Sequence, residues 1–112
     1  MGVVKRSLSR RPSEYLRGES VAADDSFKAL RTALLESGPL DTMTCELIVI
    51  SALGIAGFED SFKTHSARVL ETGADIDSLR HAVVVTLGAT SGIYQVARAL
   101  EWLDELESEA ES

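Results

Sequence analysis

The most apolar part of this sequence, the stretch from Asp41 to His65, carries the carboxylate of Glu46 near its start and the imidazole of His65 at its end. Glu46 is the only charged side chain between Met43 and Gly57. At 3.6 residues per turn it shares a helix face with apolar residues on either side, so the pattern predicts a carboxylate that points into apolar packing. A desolvated carboxylate favours a proton or a hydrogen-bonding partner. The sequence offers His65, one helix further on, as that partner.

The spacing around His65 predicts that its imidazole also faces inward. The stripe of its helix at i, i+4, i+7 and i+11 consists of Phe58, Phe62, His65 and Val69. A buried carboxylate and an imidazole that converge from two helices can act as general base and general acid. The same pair can instead be a buried hydrogen bond or ion pair that only fixes how the two helices align.

Ser61 lies one turn before His65, so a contact between its hydroxyl and the imidazole is available on one helix face. A serine nucleophile also needs an oxyanion hole and an acid that orients the histidine, and the sequence identifies neither. Ser61 is therefore a candidate site residue whose alternative role is that of a small polar side chain filling space.

Cysteine and histidine are too sparse to indicate a cofactor. Cys45 is the one cysteine, so the chain has no internal disulfide, and a small buried thiol is the expected role of a lone cysteine. The two histidines, His65 and His81, lack the spacing of a metal site, and His81 is expected at the surface or at an interface. No glycine-rich loop follows a strand, so we expect no nucleotide, no metal and no other cofactor.

Composition favours one small helical domain that acts away from nucleic acids and membranes. The 112 residues are 45% hydrophobic and only 5% aromatic, with a net charge of −7. The acidic balance argues against a nucleic-acid surface. No apolar run reaches the ~18 residues that cross a membrane, and the N-terminal residues lack a secretory apolar core, so we expect a cytoplasmic protein.

The order of helix signals predicts an all-α fold of about five helices. The first helix should start at a cap on Asp24 or Asp25 and stop before Gly38. The later helices should span Asp41–Ala56, Glu59–Thr72, a segment starting near Asp75 or Asp77, and a segment that carries Ile93, Val96, Leu100, Leu103 and Leu106. The β-branched run Val83–Thr86 would suit a strand, but its 3–4 spacing and the lack of a second strand favour helix.

Three regions follow from these elements. Residues 1–23 are expected to form a basic, solvated N-terminal arm with one short helical turn after Pro12. Residues 24–107 form the helical domain, in which Lys63 is expected on an ordinary solvated face. Residues 108–112 form an acidic, frayed tail.

The residues singled out above also carry a resemblance to a known family. Glu46, Phe58, Ser61 and His65 keep the spacing E-x11-C-x2-C-x3-H, and the text from Ser26 to Leu106 resembles the carboxymuconolactone decarboxylase and alkylhydroperoxidase-D (AhpD-like) family. Phe58 and Ser61 stand where the peroxidase branch has its two redox cysteines. Cys45 stands where the family commonly has arginine.

The resemblance implies a fold, an assembly and a reaction. It implies an AhpD-like helical bundle that forms a trimer or hexamer, with the site near subunit contacts. It also implies a cofactor-free lyase or isomerase of a small organic acid or lactone, in which Glu46 and His65 move the proton. Phe58 would add an apolar wall to the pocket. Arg68, Arg80 or Arg98 would replace the missing arginine as the group that holds an acidic substrate.

Two other functions stay open at this point. A thiol-dependent peroxidase of the AhpD kind is disfavoured, because both matching cysteines are absent. A non-enzymatic, oligomeric binding or scaffold protein would have kept the fold and lost the reaction.

Overall fold

The computed structural model describes residues 6–111, and within that range the chain is all-helical. The six helices are α1 (Pro12–Glu19), α2 (Val21–Glu36), α3 (Thr42–Ala56), α4 (Glu59–Glu71), α5 (Ile76–Val84) and α6 (Ile93–Glu111). The β-type pairing in this range is a single bridge between Leu87 and Ser91. The all-α prediction is confirmed, and the sixth helix is α1, which the sequence predicted as a short turn.

The start of α2 differs from the prediction. Ser20, in extended conformation, caps the helix, and its hydroxyl accepts a hydrogen bond from the Ala23 N–H at 3.1 Å. The predicted cap at Asp24 or Asp25 is wrong because α2 has already begun at Val21. Asp24 is instead fully buried, and α1 and α2 form a helical hairpin.

Helix α3 begins and ends where its sequence signals predict. The Asp41 carboxylate accepts a hydrogen bond from the Thr44 N–H at 2.7 Å, which satisfies one of the free donors of the first turn. Gly57 ends the helix with φ at 81°, a left-handed conformation that glycine adopts without strain. The outer side of α3 is not covered within the single chain, since Ile48 is 52% exposed.

The core lies between α3, α4, α5 and α6. One side chain from each of these helices is fully buried: Ile50, Phe62, Leu79 and Leu103. Phe62 packs on Trp102 with ring centroids 5.4 Å apart, which ties α4 to α6. Helix α2 adds no apolar side chain to this core, because its stripe of Phe27, Leu30 and Leu34 is about half exposed.

Lys63 is buried, not solvated as its sequence position suggested. Its ammonium group lies 2.9 Å from a carboxylate oxygen of Glu59 and 2.5 Å from one of Glu105, and its side chain is 0% exposed. Burial alone would lower the pKa of Lys63, but the hydrogen bonds that its ammonium group donates to Glu105 and Glu59 outweigh burial and raise that pKa. Lys63 therefore joins the first turn of α4 to α6 as a charged group.

The last two helices also differ in detail from the expectation. Helix α5 forms across Val83 and Val84, which confirms helix over strand, and it ends at a turn that begins at Val85. Helix α6 continues to Glu111, so the predicted frayed tail is wrong for residues 108–111. No helix within residues 6–111 combines the length and apolarity needed to cross a membrane.

Candidate functional site

The predicted meeting of Glu46 and His65 occurs in the structure. Nδ1 of His65 on α4 lies 3.1 Å from Oε2 of Glu46 on α3. The carboxylate side chain is 8% exposed and the imidazole 19% exposed, so water competes little for this contact. When Glu46 is ionised it accepts the Nδ1–H, and this leaves Nε2 with its lone pair. No described residue hydrogen-bonds to Nε2, so that nitrogen is available to a ligand.

The helices bring this pair together through packing at small residues. Gly54 of α3 has Ala99 of α6 and Phe62 of α4 within 3.3 Å of where a Cβ would stand, so glycine permits the close approach of three helices. Glu46 lies two turns before Gly54 on α3, and His65 lies about one turn after Phe62 on α4. The close approach therefore fixes the separation of the two groups.

A cleft of about 630 Å³ opens beside the pair, and its size suits a small organic molecule. The lining comes from a face of α4 with positions i, i+3, i+4 and i+7, from Glu46 of α3, and from the N-terminal segment, α1 and α2. The lining residues are Arg11, Pro12, Ser13, Leu16, Phe27, Lys28, Arg31, Thr32, Leu35, Glu46, Ser61, Thr64, His65 and Arg68.

The lining of the cleft carries more positive than negative charge. Four cationic side chains line it, and Glu46 is the one acidic residue in the lining. Lys28 is paired with Asp24 at 2.9 Å. Arg11, Arg31 and Arg68 form no ion pair with another described residue. The three guanidinium groups therefore favour an anion in the cleft, and their planar geometry suits a carboxylate or a phosphate.

All three candidate site residues line this cleft. Ser61 lies with His65 on the α4 face of the cleft, but no hydrogen bond joins Ser61 to His65 within the described chain. Of the three arginines proposed to hold an acidic substrate, Arg68 lines the cleft. Arg80 instead pairs with acidic residues of α6. Arg98 stacks on the rings of Trp102 and Tyr94.

Phe58 does not line the cleft, so its predicted role as an apolar wall is wrong. It is the residue immediately before α4, with φ at −88° and ψ at 80°, and it is 60% exposed. The non-helical backbone at this position takes the side chain off the inward stripe, which begins one turn later at Phe62.

Cys45 and His81 both lie away from the cleft lining. The Cys45 thiol is half-buried and faces the Leu40 carbonyl oxygen at 3.8 Å. His81 is exposed on α5. Within residues 6–111 no three or more His, Cys, Asp and Glu side chains are grouped as a metal site requires.

Sequence reasoning missed three of the four cations in the cleft. Arg11 belongs to the arm of residues 1–23, which was expected to be solvated, and neither Lys28 nor Arg31 was singled out. A usable signal was present, because Phe27, Arg31 and Leu35 recur at i, i+4 and i+8 and form the face that lines the cleft. The apolar stripe of α2 that contains Leu30 and Leu34 is the stronger pattern, so the face that lines the cleft was not predicted.

Comparisons of this chain with protein-family models, with curated proteins and with solved structures give no match.

Proposed function

We propose that this chain is a cofactor-free lyase or isomerase that acts on a small organic acid or lactone. The observation that carries the proposal is the contact between Glu46 and His65 at the wall of a cationic cleft. The spacing that resembles the carboxymuconolactone decarboxylase family supports the same reaction class and an AhpD-like arrangement of the helices.

His65 is the group that moves the proton in this proposal. Its Nε2 takes a proton from a carbon next to a carbonyl or carboxyl group, and the electron pair of the broken C–H bond moves into an enolate. Glu46 stabilises the imidazolium that results, because its carboxylate accepts the Nδ1–H at 3.1 Å. Return of the proton to a different carbon gives an isomer with no change in atoms. In a lyase reaction, loss of CO2 supplies the electron pair and the imidazolium protonates the carbon.

The cationic residues select the substrate and stabilise the charge that develops. Arg68 lies one turn after His65 on α4, and Arg31 lines the cleft from α2. Two guanidinium groups on different walls hold a carboxylate in place and lower the energy of a neighbouring enolate. Ser61 lies one turn before His65 on α4 and also lines the cleft. Its hydroxyl is a further hydrogen-bond donor to a substrate oxygen.

The proposal includes assembly of the chain into a trimer or hexamer. The apolar stripe of α2 and the outer side of α3 are exposed in the single chain, with Leu30, Leu34 and Ile48 each more than half exposed. Exposed apolar area of this extent is typical of protein interfaces. The expected solution mass by light scattering is three or six times 12.1 kDa. A sharp monomer at micromolar concentration would exclude this part of the proposal.

A screen of small carboxylic acids and lactones tests the reaction. We expect proton exchange or CO2 release with the parent chain and its loss in His65→Gln. His81→Gln is the matched control, since it removes the exposed histidine and should leave the rate unchanged. If an acid binds in the cleft but the parent chain catalyses no reaction of it, the chain is a non-enzymatic binding protein and the proposed reaction is wrong. A reaction that persists unchanged in His65→Gln would show that His65 does not move the proton.

A further inference from the structure

The segment before α1 is attached to the core through one buried carboxylate, that of Asp60 in the first turn of α4. Oδ1 of Asp60 accepts hydrogen bonds from the Ser7 N–H at 2.6 Å and from the Ser7 hydroxyl at 2.9 Å. Oδ2 accepts the Leu8 N–H at 2.8 Å. Arg6 adds hydrogen bonds to the Asp60 carbonyl oxygen at 3.2 Å and to the Thr64 hydroxyl.

The charge of Asp60 strengthens this attachment. Asp60 is 5% exposed, and burial alone would raise its pKa. The hydrogen bonds from Ser7 and Leu8 and the charge of Arg6 outweigh burial and lower the pKa. Hydrogen bonds to an ionised acceptor are about twice as strong as neutral ones, so this contact holds best while Asp60 is charged.

The attached segment continues directly into the wall of the cleft. Arg11, Pro12, Ser13 and Leu16 line the same cleft as His65. Helix α1 packs mainly on α2, and the α1–α2 hairpin makes few contacts with the α3–α6 core. The hairpin is thus joined to the core by the chain link before α3 at one end and by the Asp60 contacts at the other.

We infer that Asp60 is a positioning residue that latches the α1–α2 hairpin as a movable wall of the cleft. While Ser7 and Leu8 are bound to Asp60, the hairpin is held in place as a wall of the cleft that His65 lines. When those hydrogen bonds break, the hairpin turns about the link before α3, the cleft widens and the imidazole becomes more accessible to a ligand. The inference rests on the proposed function only in taking this cleft as the place where a ligand enters.

Chemical modification of the two histidines tests the latch without a substrate. Diethyl pyrocarbonate acylates accessible imidazoles, and peptide mass spectrometry separates His65 in the cleft from His81 on the surface. Asp60→Asn keeps the shape of the side chain and removes its charge. We expect the rate at His65 relative to His81 to rise by about tenfold, the change that corresponds to one charged hydrogen bond weakened to a neutral one.

Hydrogen exchange on the same variants shows whether the hairpin moves. Asp60→Asn should speed amide exchange in residues 6–11 and leave exchange in α5 and α6 at the parent rate. Asp104→Asn is the matched control, because it removes an exposed carboxylate paired with Arg80 and should change neither readout.

Two outcomes would overturn the inference. Faster exchange in residues 6–11 with an unchanged rate at His65 would show that the segment detaches without opening the cleft. Unchanged exchange would show that Asp60 does not hold the segment. If Asp60→Asn does not fold, Arg6→Gln removes donors from the latch side and leaves Asp60 intact. That variant should raise the His65 rate in the same direction, and an unchanged rate would again contradict the latch. None of these readouts requires turnover, so the latch and the proposed reaction fail separately.

Discussion

Replacement of Glu46 by glutamine separates a catalytic role for the pair from a structural one. The amide has nearly the volume of the carboxylate, so the packing around α3 stays the same while the charge is removed. Glu46 is 6% exposed, and its contact with His65 is 3.1 Å long. The substitution therefore acts on a desolvated hydrogen bond and on little else.

Two opposing effects set the change in stability. Exchange of a charged acceptor for a neutral one weakens the hydrogen bond by ~1 kcal/mol. Removal of a desolvated charge from the protein interior stabilises the folded state by a similar amount, because the cost of desolvating that charge is relieved. We expect the free energy of unfolding of Glu46→Gln to stay within ~1 kcal/mol of the parent, which is a shift in Tm of about 4 °C or less for a chain of this length.

The expected change in rate is far larger. Loss of the carboxylate removes the group that sets the tautomer of His65 and stabilises its imidazolium, so kcat/KM should fall by roughly two to four powers of ten. His65→Gln should lose a similar factor, and the double variant little more than either single variant, because residues that act as a unit are not additive.

Thermal melts and turnover per folded molecule, measured on the same three variants, decide between the roles. A large loss of rate with a small change in Tm supports catalysis by the pair. If Glu46→Gln melts far below the parent while its turnover per folded molecule is unchanged, the contact only fixes how α3 and α4 align, and the catalytic reasoning is refuted.

Three further predictions concern the scaffold that holds the cleft. Lys63→Met leaves the two carboxylates beside it without their cation and should reduce the urea-derived free energy of unfolding by ~1–3 kcal/mol, since both carboxylates are partly hydrated; an unchanged midpoint would contradict this. Gly57→Ala should cost ~1–2 kcal/mol, because φ is 81° and the added Cβ would meet the Arg98 guanidinium at 2.7 Å. Gly18→Ala, with open space around it, is the control and should be neutral or stabilising. The pKa of Asp60 is lowered from 3.8 by folding, so its stabilisation is complete above pH 3.8 and is lost as the pH falls through the lower folded value. Acid unfolding of Asp60→Asn followed by circular dichroism should therefore depend less on pH than that of the parent, and equal slopes would exclude this contribution.

Local signals in the sequence were sufficient to determine the all-helical class and the bounds of α3. Asp41 and Gly57 bound α3 as predicted, because a capping carboxylate and a left-handed glycine act on their own backbone within one turn. The start of α2 was misplaced because Ser20 and the two aspartates after it are all good caps. In the structure these aspartates form ion pairs and do not cap the helix. Asp24 and Asp25 pair with Arg17 of α1, and Asp24 also pairs with Lys28 of α2.

The pairing of Glu46 with His65 could also be predicted from the sequence. A lone carboxylate in an apolar helix must find a partner, and the inward stripe of the next helix contains one imidazole. The burial and contacts of Lys63 and Asp60 could not be predicted from the sequence. Each depends on a group more than 40 residues away in the chain, on Glu105 in one case and on the N-terminal segment in the other.

Sequence by itself therefore determined the helical class and the pairing of Glu46 with His65, because both follow from periodicity and burial within neighbouring helices. Tertiary structure alone decided that Arg11 and Arg31 line one cleft together with this pair and with Arg68. The local sequence does not predict which surface an exposed arginine will contact, because its charged group is well hydrated at any exposed position. Only the packing of the α1–α2 hairpin beside α4 makes those charges part of a site.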